Sequence, residues 1–185
     1  MILPIYLYGH PVLRRVAEDV EITDKEEVSQ FVSDMYETLE KTGGIGLAAP
    51  QVGRSARIVV IDLRPLAEDF PEYADFKRTY INSHIIDYGE DKDTSDEGCL
   101  SVPGISEKVI RPTKIRIQYL DDSFEPHDEW VSGYLSRVIQ HESDHLEGKM
   151  FVDRLSPLRK QMIKKKLNNI LKGIVSCNYK VKFKK

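Results

Sequence analysis

The sequence predicts an α+β fold, with mixed or antiparallel sheets packed around a buried central helix and a further helix towards each end. Apolar residues recur with a helical period in three stretches of the chain. Three other stretches are rich in β-branched residues that largely alternate with polar ones. Strand-like and helix-like stretches are distributed unevenly along the chain, and this arrangement favours α+β.

Composition indicates one globular domain over residues 1–185. The chain has 185 residues, 41% of them hydrophobic and 31% charged, which is enough for a sizeable core. The N-terminal stretch MILPIYLYGHPVLRR lacks the basic region and cleavage site of a signal peptide. No apolar run approaches the roughly 20 residues of a membrane span. We therefore expect a cytoplasmic protein without a membrane partner.

The first helix is predicted over residues 24–39. Thr23 and Glu26 form a T-x-x-E capping box before it, and the sequence TGG at 42–44 ends it. Its apolar residues at helical spacing are Val28, Phe31, Val32, Met35 and Leu39.

The next three elements are strands, predicted over residues 56–62, 78–86 and 114–121. Each is β-branched and largely alternating. Residues 65–76 carry two prolines, which favours a surface loop.

Two more helices follow. The second runs from a cap at Ser132 to Gly148 and is mostly buried; the third begins at Ser156 and Pro157 and ends before Gly173. Residues 174–185 form a basic tail. A solvated helix face and a frayed tail are the expected states of the basic runs at 164–166 and 180–185.

The second helix carries the sequence HESDH. His141 and His145 are four residues apart, so both rings can face one metal ion from the same side of a helix. Glu142 is placed to reach a water on that ion and to act as a general base. The alternative is a buried helix whose histidines only satisfy polar groups of the core.

A catalytic site of this type needs a third protein ligand. The metzincin pattern fails because Phe151 occupies the position of its last histidine, and no acid occurs on the basic last helix for a thermolysin-like site. Asp153 lies just past the helix-ending glycine. These absences point upstream, where Cys99 in the sequence EGCLSVPG is a candidate thiolate ligand.

The stretch GGIGLAAPQVG at 43–53 combines small residues with an apolar run. Such a segment can lie close to a ligand as an exposed strand edge, and it ends with the neutral amide of Gln51. A glycine-rich turn after a helix is the simpler alternative.

Together these stretches resemble the bacterial peptide deformylase family. Its three motifs stand here in order and without substitution as GIGLAAPQ (44–51), EGCLS (97–101) and HESDH (141–145). Two departures lie outside the motifs: INSHI at 81–85 replaces the family's I-N-P-x-I, and Arg137 stands where apolar residues are frequent. They concern details of the substrate pocket rather than the chemistry.

The resemblance implies an enzyme that removes the formyl group from the N-terminal formylmethionine of nascent polypeptides. It implies these metal ligands: Cys99, His141 and His145. It further implies one divalent ion per chain, Fe²⁺ in the cell, with Zn²⁺, Ni²⁺ or Co²⁺ in purified protein. Glu142 would be the general base, while the Gln51 side chain and the Leu100 N–H would stabilise the oxyanion.

The resemblance also assigns the substrate site. The methionine pocket would be lined by Ile45, Tyr134, Val138 and His141. Backbone groups of Gly44, Ile45 and Gly46 would pair with the extended peptide. Glu97 and Arg111 would form a buried ion pair that fixes the Cys99 loop.

Two alternative functions stay open at this point. One is a zinc endopeptidase that uses the same HExxH helix. The other is a ribosome- or RNA-binding module that acts through the basic tail, without specific DNA binding. A transient ribosome contact is also compatible with the first assignment.

Overall fold

Three α-helices and nine strands form within residues 1–184, the part of the chain that this computed structural model describes. The helices are α1 (Lys25–Thr42), α2 (Gly133–Leu146) and α3 (Pro157–Leu171). The strands are β1 (Ile5–Tyr6), β2 (Gly46–Ala48), β3 (Ile58–Asp62), β4 (Lys77–Tyr88), β5 (Lys92–Cys99), β6 (Val102–Pro112), β7 (Lys114–Leu120), β8 (Pro126–Ser132) and β9 (Val181–Lys182). The predicted α+β class is confirmed.

The largest sheet is antiparallel and has five strands in the order β2-β3-β4-β7-β8. β2 is an edge strand, and Gly46 lies opposite Ile61 of β3. The strands predicted from β-branched alternation are present as β3, β4 and β7. β2 lies within the stretch 43–53 that was interpreted as a possible exposed strand edge, whereas β8, which carries charged residues, was not predicted.

β5 and β6 form a separate antiparallel hairpin. Its register shifts between Gly98 and Cys99, so that Gly98 lies opposite Ser106 while Cys99 lies opposite Val102. Leu100 and Ser101 therefore form the turn. The hairpin was not predicted from sequence, because the acidic residues of β5 hide the alternation that marks a strand.

The three predicted helices are present, with changed details. Asp24, rather than Thr23, is the N-cap of α1, since its carboxylate accepts the backbone N–H of Glu27 at 2.9 Å. α1 continues to Thr42 and ends at Gly43, whose φ is +70°. Ser132 is the N-cap residue of α2, but its side chain makes no capping hydrogen bond. The predicted cap of α3 is confirmed, because Ser156 accepts the N–H of Arg159.

The loop predicted over residues 65–76 is not irregular throughout. It contains two short 3₁₀ turns, Arg64–Leu66 and Pro71–Tyr73, and partly buries Leu66, Tyr73 and Phe76 against the sheet. Within residues 1–184, none of the helices is both long and apolar enough to cross a membrane.

The expected frayed tail is wrong for most of its length. β9 pairs in parallel with β1, with Val181 opposite Ile5, and the N–H of Ile5 donates to the carbonyl of Lys180 at 2.9 Å. The last residue of the basic run, Lys185, lies outside the described residues. The run at 164–166 is exposed on α3, as expected for a solvated helix face.

Candidate metal centre

α2 brings two of the predicted ligands together. His141 and His145 are one turn apart, and their ring centroids are 5.4 Å apart. Most residues of the helix are buried because it packs against β2, β3 and the strands beyond. His145 is itself only 1% exposed, so its ring is fixed by packing.

The predicted third ligand meets these rings. Sγ of Cys99 and one ring nitrogen from each of His141 and His145 all lie within 4.8 Å of one another. Sγ is 3.3 Å from Nε2 of His145. Cys99 reaches this position because β5 ends there and the register shift turns the chain into the site. A thiolate and two imidazoles so arranged match the donor set of a catalytic divalent-metal site with an open position.

The surroundings favour the thiolate form of Cys99. Burial alone would raise the pKa of the thiol, but the charge of His145 and hydrogen bonds from His141 and His145 lower that pKa to about 5. A cysteine of this kind is deprotonated at neutral pH and ready to bind a cation. The site therefore supplies the anionic ligand without a further base.

Glu97 orients the first histidine. Its Oε2 lies 2.9 Å from Nδ1 of His141, so Nδ1 donates to Glu97 and Nε2 is left for the site. Burial would raise the pKa of Glu97, but hydrogen bonds from Arg111 and His141 outweigh burial and hold the pKa well below its usual range. Glu97 is thus an anion at neutral pH, and its oxygens act only as hydrogen-bond acceptors.

The expected ion pair between Glu97 and Arg111 is present and belongs to a larger buried network. Arg111 is 0% exposed; its Nε donates to Glu97 at 2.6 Å and its Nη1 to Asp144 at 2.9 Å. Arg154 binds the other side of Asp144 at 2.6 Å. Acids and bases alternate along this network, so each buried charge has an opposite neighbour.

Arg137, the departure noted in sequence, belongs to the same network. Its Nη1 donates to Glu97 and to the carbonyl of Val109, and its Nη2 pairs with Asp93. The guanidinium is therefore tied to β5 and β6, even though Arg137 borders the cavity.

Glu142 supplies an uncommitted carboxylate. It is 4% exposed, and its Oε2 has no hydrogen-bond partner among the residues that the structure describes. Burial raises the pKa of Glu142, and the nearby charges of Cys99 and Glu97 add to this effect against those of His141 and His145. An unpaired buried carboxylate beside three ligand atoms is costly for a protein without an ion or water in the site.

Gly46 makes room for that carboxylate. A Cβ at this position would lie 2.5 Å from Oε1 of Glu142. The close approach of Glu142 therefore explains why this position of the first motif is a glycine, since the φ of Gly46 is not in the left-handed region.

Gln51 is held with its amide nitrogen towards Cys99. The backbone N–H of Ala48 donates to Oε1 of Gln51 at 2.8 Å, which fixes the orientation of the amide. Nε2 then lies 3.5 Å from Sγ of Cys99 and 3.3 Å from Oγ of Ser101. A neutral donor therefore stands directly beside the ligand cluster.

A cavity of about 640 Å³ opens onto the cluster. All predicted substrate-binding residues line it: Gly44, Ile45, Gly46, Tyr134, Val138 and His141. Leu100, Gln51 and Glu142 line it as well. His145 is not among the lining residues and is 1% exposed.

Sequence reasoning missed several residues around the cavity. Phe70 stacks on Tyr134 with ring centroids 5.8 Å apart, but no local pattern connects the proline-containing loop with α2. Asp144 is the fourth residue of the HESDH motif, but no role was predicted for it. Residues 176–179 also line the cavity, although the tail had no predicted structure.

The family model for polypeptide deformylases matches residues 2–161. A peptide deformylase of Salinibacter ruber is 42% identical over 97% of this chain and 93% of its own length. One of Cytophaga hutchinsonii is 43% identical over 99% and 98%. Among solved structures, a plant peptide deformylase has a TM-score of 0.83 at 32% identity, covering 96% of each chain. One from Legionella pneumophila has a TM-score of 0.79 at 36% identity, covering 92% and 95%.

Proposed function

Because the chain belongs to the polypeptide deformylase family, whose activity is removal of the formyl group from nascent polypeptides, we propose how its own residues perform that reaction. Cys99, His141 and His145 hold the single catalytic metal ion of the family. The observation that carries this assignment is that Cys99 Sγ and the two imidazoles meet within 4.8 Å, although Cys99 and His145 are 46 positions apart in the sequence.

The ion in the cell is Fe²⁺. A thiolate and two imidazoles also suit Zn²⁺, Ni²⁺ and Co²⁺, which would occupy the same site in purified protein. Support for iron comes from the family resemblance, whereas the donor set supports a divalent transition metal in general.

Glu142 moves the proton. When bound, the ion acts as a Lewis acid and lowers the pKa of a water molecule. Glu142 accepts a proton from the attacking water while the oxygen of that water bonds to the formyl carbon. Glu142 then donates the proton to the departing amine. The raised pKa of Glu142 suits both steps, because a base with a very low pKa would be a poor acceptor. Formate and a free methionine N-terminus are the products.

Gln51 and Leu100 stabilise the negative charge that develops on the formyl oxygen. The Gln51 amide is preorganised by Ala48, and the Leu100 N–H follows Cys99 directly in the chain. Donors fixed in advance cost no reorganisation during the reaction, and loss of one typically lowers the rate by about 10²- to 10³-fold.

The cavity fits an N-terminal methionine followed by an extended peptide. Ile45, Tyr134, Val138 and His141 line this cavity together, and the aliphatic side chains of Ile45 and Val138 give it apolar surface. Unbranched methionine adapts to such a pocket.

The peptide backbone pairs with the free edge of β2. The carbonyl of Ile45 is already used by the N–H of Asp62 on β3. Because backbone groups alternate in direction along an antiparallel strand, those of Gly46 point to the free edge, and Gly44 precedes this strand by two residues. Pairing there binds the backbone of any sequence.

We further propose that residues 1–185 act as a single catalytic domain in the cytoplasm, where formylated chains emerge from ribosomes. A transient contact with the ribosome through the exposed lysines of α3 would bring the enzyme to its substrate. No described feature favours binding to a specific DNA sequence or to a membrane.

Formate release from formyl-Met-Ala-Ser tests the proposal. Wild-type protein loaded anaerobically with Fe²⁺ should release formate and leave internal peptide bonds intact. Glu142→Ala should keep its metal and lose turnover. Cleavage of internal peptide bonds without formate release would instead support the endopeptidase alternative.

A further inference from the structure

The C-terminal segment returns to the catalytic cavity. After α3 ends, residues 174–180 cross the molecule and β9 then pairs with β1. Two backbone hydrogen bonds fix this pairing: Ile5 N–H to the Lys180 carbonyl at 2.9 Å and Leu7 N–H to the Lys182 carbonyl at 2.8 Å. Residues immediately before β9 are therefore held in a defined position.

Those residues form one wall of the cavity. Ser176, Cys177, Asn178 and Tyr179 line the same space as Cys99 and Glu142. Tyr179 is half-buried against the main core, whereas Ser176 and Asn178 are exposed. The tail thus contributes surface to the site rather than only covering the fold.

Tyr179 contacts the turn that carries the second motif. Its hydroxyl donates to the backbone carbonyl of Leu100 at 2.9 Å. Burial raises the pKa of Tyr179 to about 12, with smaller effects of Cys177 and Cys99, so the hydroxyl stays a donor at neutral pH.

The adjacent residue is held by the strand that β9 pairs with. The N–H of Tyr8, just after β1, donates to the Ser101 carbonyl at 2.8 Å. The carbonyls of Leu100 and Ser101 are therefore held by Tyr179 and Tyr8, which lie close to the paired strands β9 and β1. The Leu100 side chain packs against Gly44, where an added Cβ would lie only 3.0 Å from Leu100 Cδ1.

We propose that Tyr179 is a positioning residue for deformylation: its hydroxyl fixes the Leu100 carbonyl and thereby the direction of the Leu100 N–H towards the formyl oxygen. This inference rests on the oxyanion role of Leu100 under the proposed function. The N–H and carbonyl of Leu100 flank one Cα, so releasing the carbonyl frees the backbone torsions that aim the N–H. The tail is then part of the catalytic apparatus of this chain.

Tyr179→Phe is the test variant, because it removes one hydroxyl and keeps the ring. Tyr6→Phe is the matched control. The Tyr6 hydroxyl accepts from Lys182 at 3.2 Å in the same β1–β9 layer, and Leu100 is not its hydrogen-bond partner. Tyr179→Phe loses a part-buried hydrogen bond and Tyr6→Phe loses an exposed one. A purely structural role of either hydroxyl should lower the melting temperature and leave kcat unchanged.

We expect kcat for formyl-Met-Ala-Ser to fall about 3- to 10-fold in Tyr179→Phe, the loss that one neutral hydrogen bond accounts for. KM should stay within about twofold, since the oxyanion exists only in the transition state. Metal content should match wild type.

Wild-type kcat in Tyr179→Phe would overturn the inference, as would equal losses in the two variants. A Gln51→Leu variant measured in parallel separates this failure from failure of the proposed function. If Gln51→Leu loses activity and Tyr179→Phe does not, the oxyanion assignment stands and the role of Tyr179 is wrong. If wild-type protein releases no formate, the proposed function fails first.

Discussion

Gly46→Ala places a single methyl group where the structure leaves no room for it. The new Cβ would lie 2.5 Å from Oε1, 2.9 Å from Cδ and 3.0 Å from Cγ of Glu142. The backbone itself accepts alanine, because Gly46 is not in the left-handed region. The perturbation therefore acts on one carboxylate.

The size of the effect follows from these distances. Ordinary contacts begin near 3.4 Å, so Oε1 must move by about 0.9 Å from its position in the structure. Glu142 has rotatable bonds and moves more easily than β2, which is paired with β3. Displacing a reacting group by about 1 Å costs on the order of 10²-fold in rate. We expect kcat to fall about 100-fold, and overpacking to lower the unfolding free energy by about 1–3 kcal/mol.

The assay is formate release from formyl-Met-Ala-Ser by anaerobically prepared protein, with metal content measured on the same sample. Gly98→Ala is the control, because its Cβ would meet only the Ile105 carbonyl at 3.7 Å. Gly98 is also next to Cys99 and lines the cavity. We expect this variant to stay within about threefold of wild type.

Full activity in Gly46→Ala with a normal metal content would refute the reasoning. It would mean either that Glu142 is not confined against β2 or that its carboxylate does not move the proton. Loss of metal together with activity would equally contradict the account, since the three atoms nearest the added Cβ all belong to Glu142.

Three further outcomes are expected. Gln51→Leu should lower kcat by about 10²- to 10³-fold in the formate assay with metal retained; retention of activity would remove Gln51 from the oxyanion site. Glu97→Gln should lower the unfolding free energy by about 3–5 kcal/mol in urea titrations, because buried Arg111 and Arg137 lose their carboxylate partner. Glu129→Gln, which removes the carboxylate of the partly exposed pair with Arg78, should lower it by at most about 1 kcal/mol. Equal effects would contradict the buried network. The pKa values of Glu97 and Asp144 are below their usual range in the folded protein, Asp144 because hydrogen bonds from Arg154 and the charge of Arg111 outweigh burial. Both acids therefore stabilise the fold above about pH 4, and urea titrations should show this stability being lost as pH falls below that value; a flat profile down to pH 3 would be inconsistent with this.

The sequence predicted the parts of the site that local patterns encode. HESDH lies on one helix, so its spacing alone places His141 and His145 side by side. Cys99 was a candidate because two histidines leave a ligand missing, and the three motifs together then matched one family. β7 was predictable because alternation in its sequence reports one buried face. β3 was predictable from its β-branched residues, although it is buried along most of its length.

Long-range contacts account for what was missed. The burial of Arg137 depends on β5 and β6, whose acidic residues did not indicate a hairpin. β9 has only two residues and forms because β1 offers an open edge, which no pattern in a lysine-rich tail can report. The third helix shows the same limit, since Ile163 is buried while Leu158 and Met162 are 71% and 62% exposed.

Metal analysis of the Cys99→Ala variant tests the central claim most directly. Wild type and Cys99→Ala are purified anaerobically, and the metal bound per chain is measured for each. We expect one ion per chain in the wild type and close to none in Cys99→Ala, with Cys177→Ala as the control that keeps its ion. Full metal occupancy in Cys99→Ala would contradict the assignment of Cys99, His141 and His145 as the metal centre.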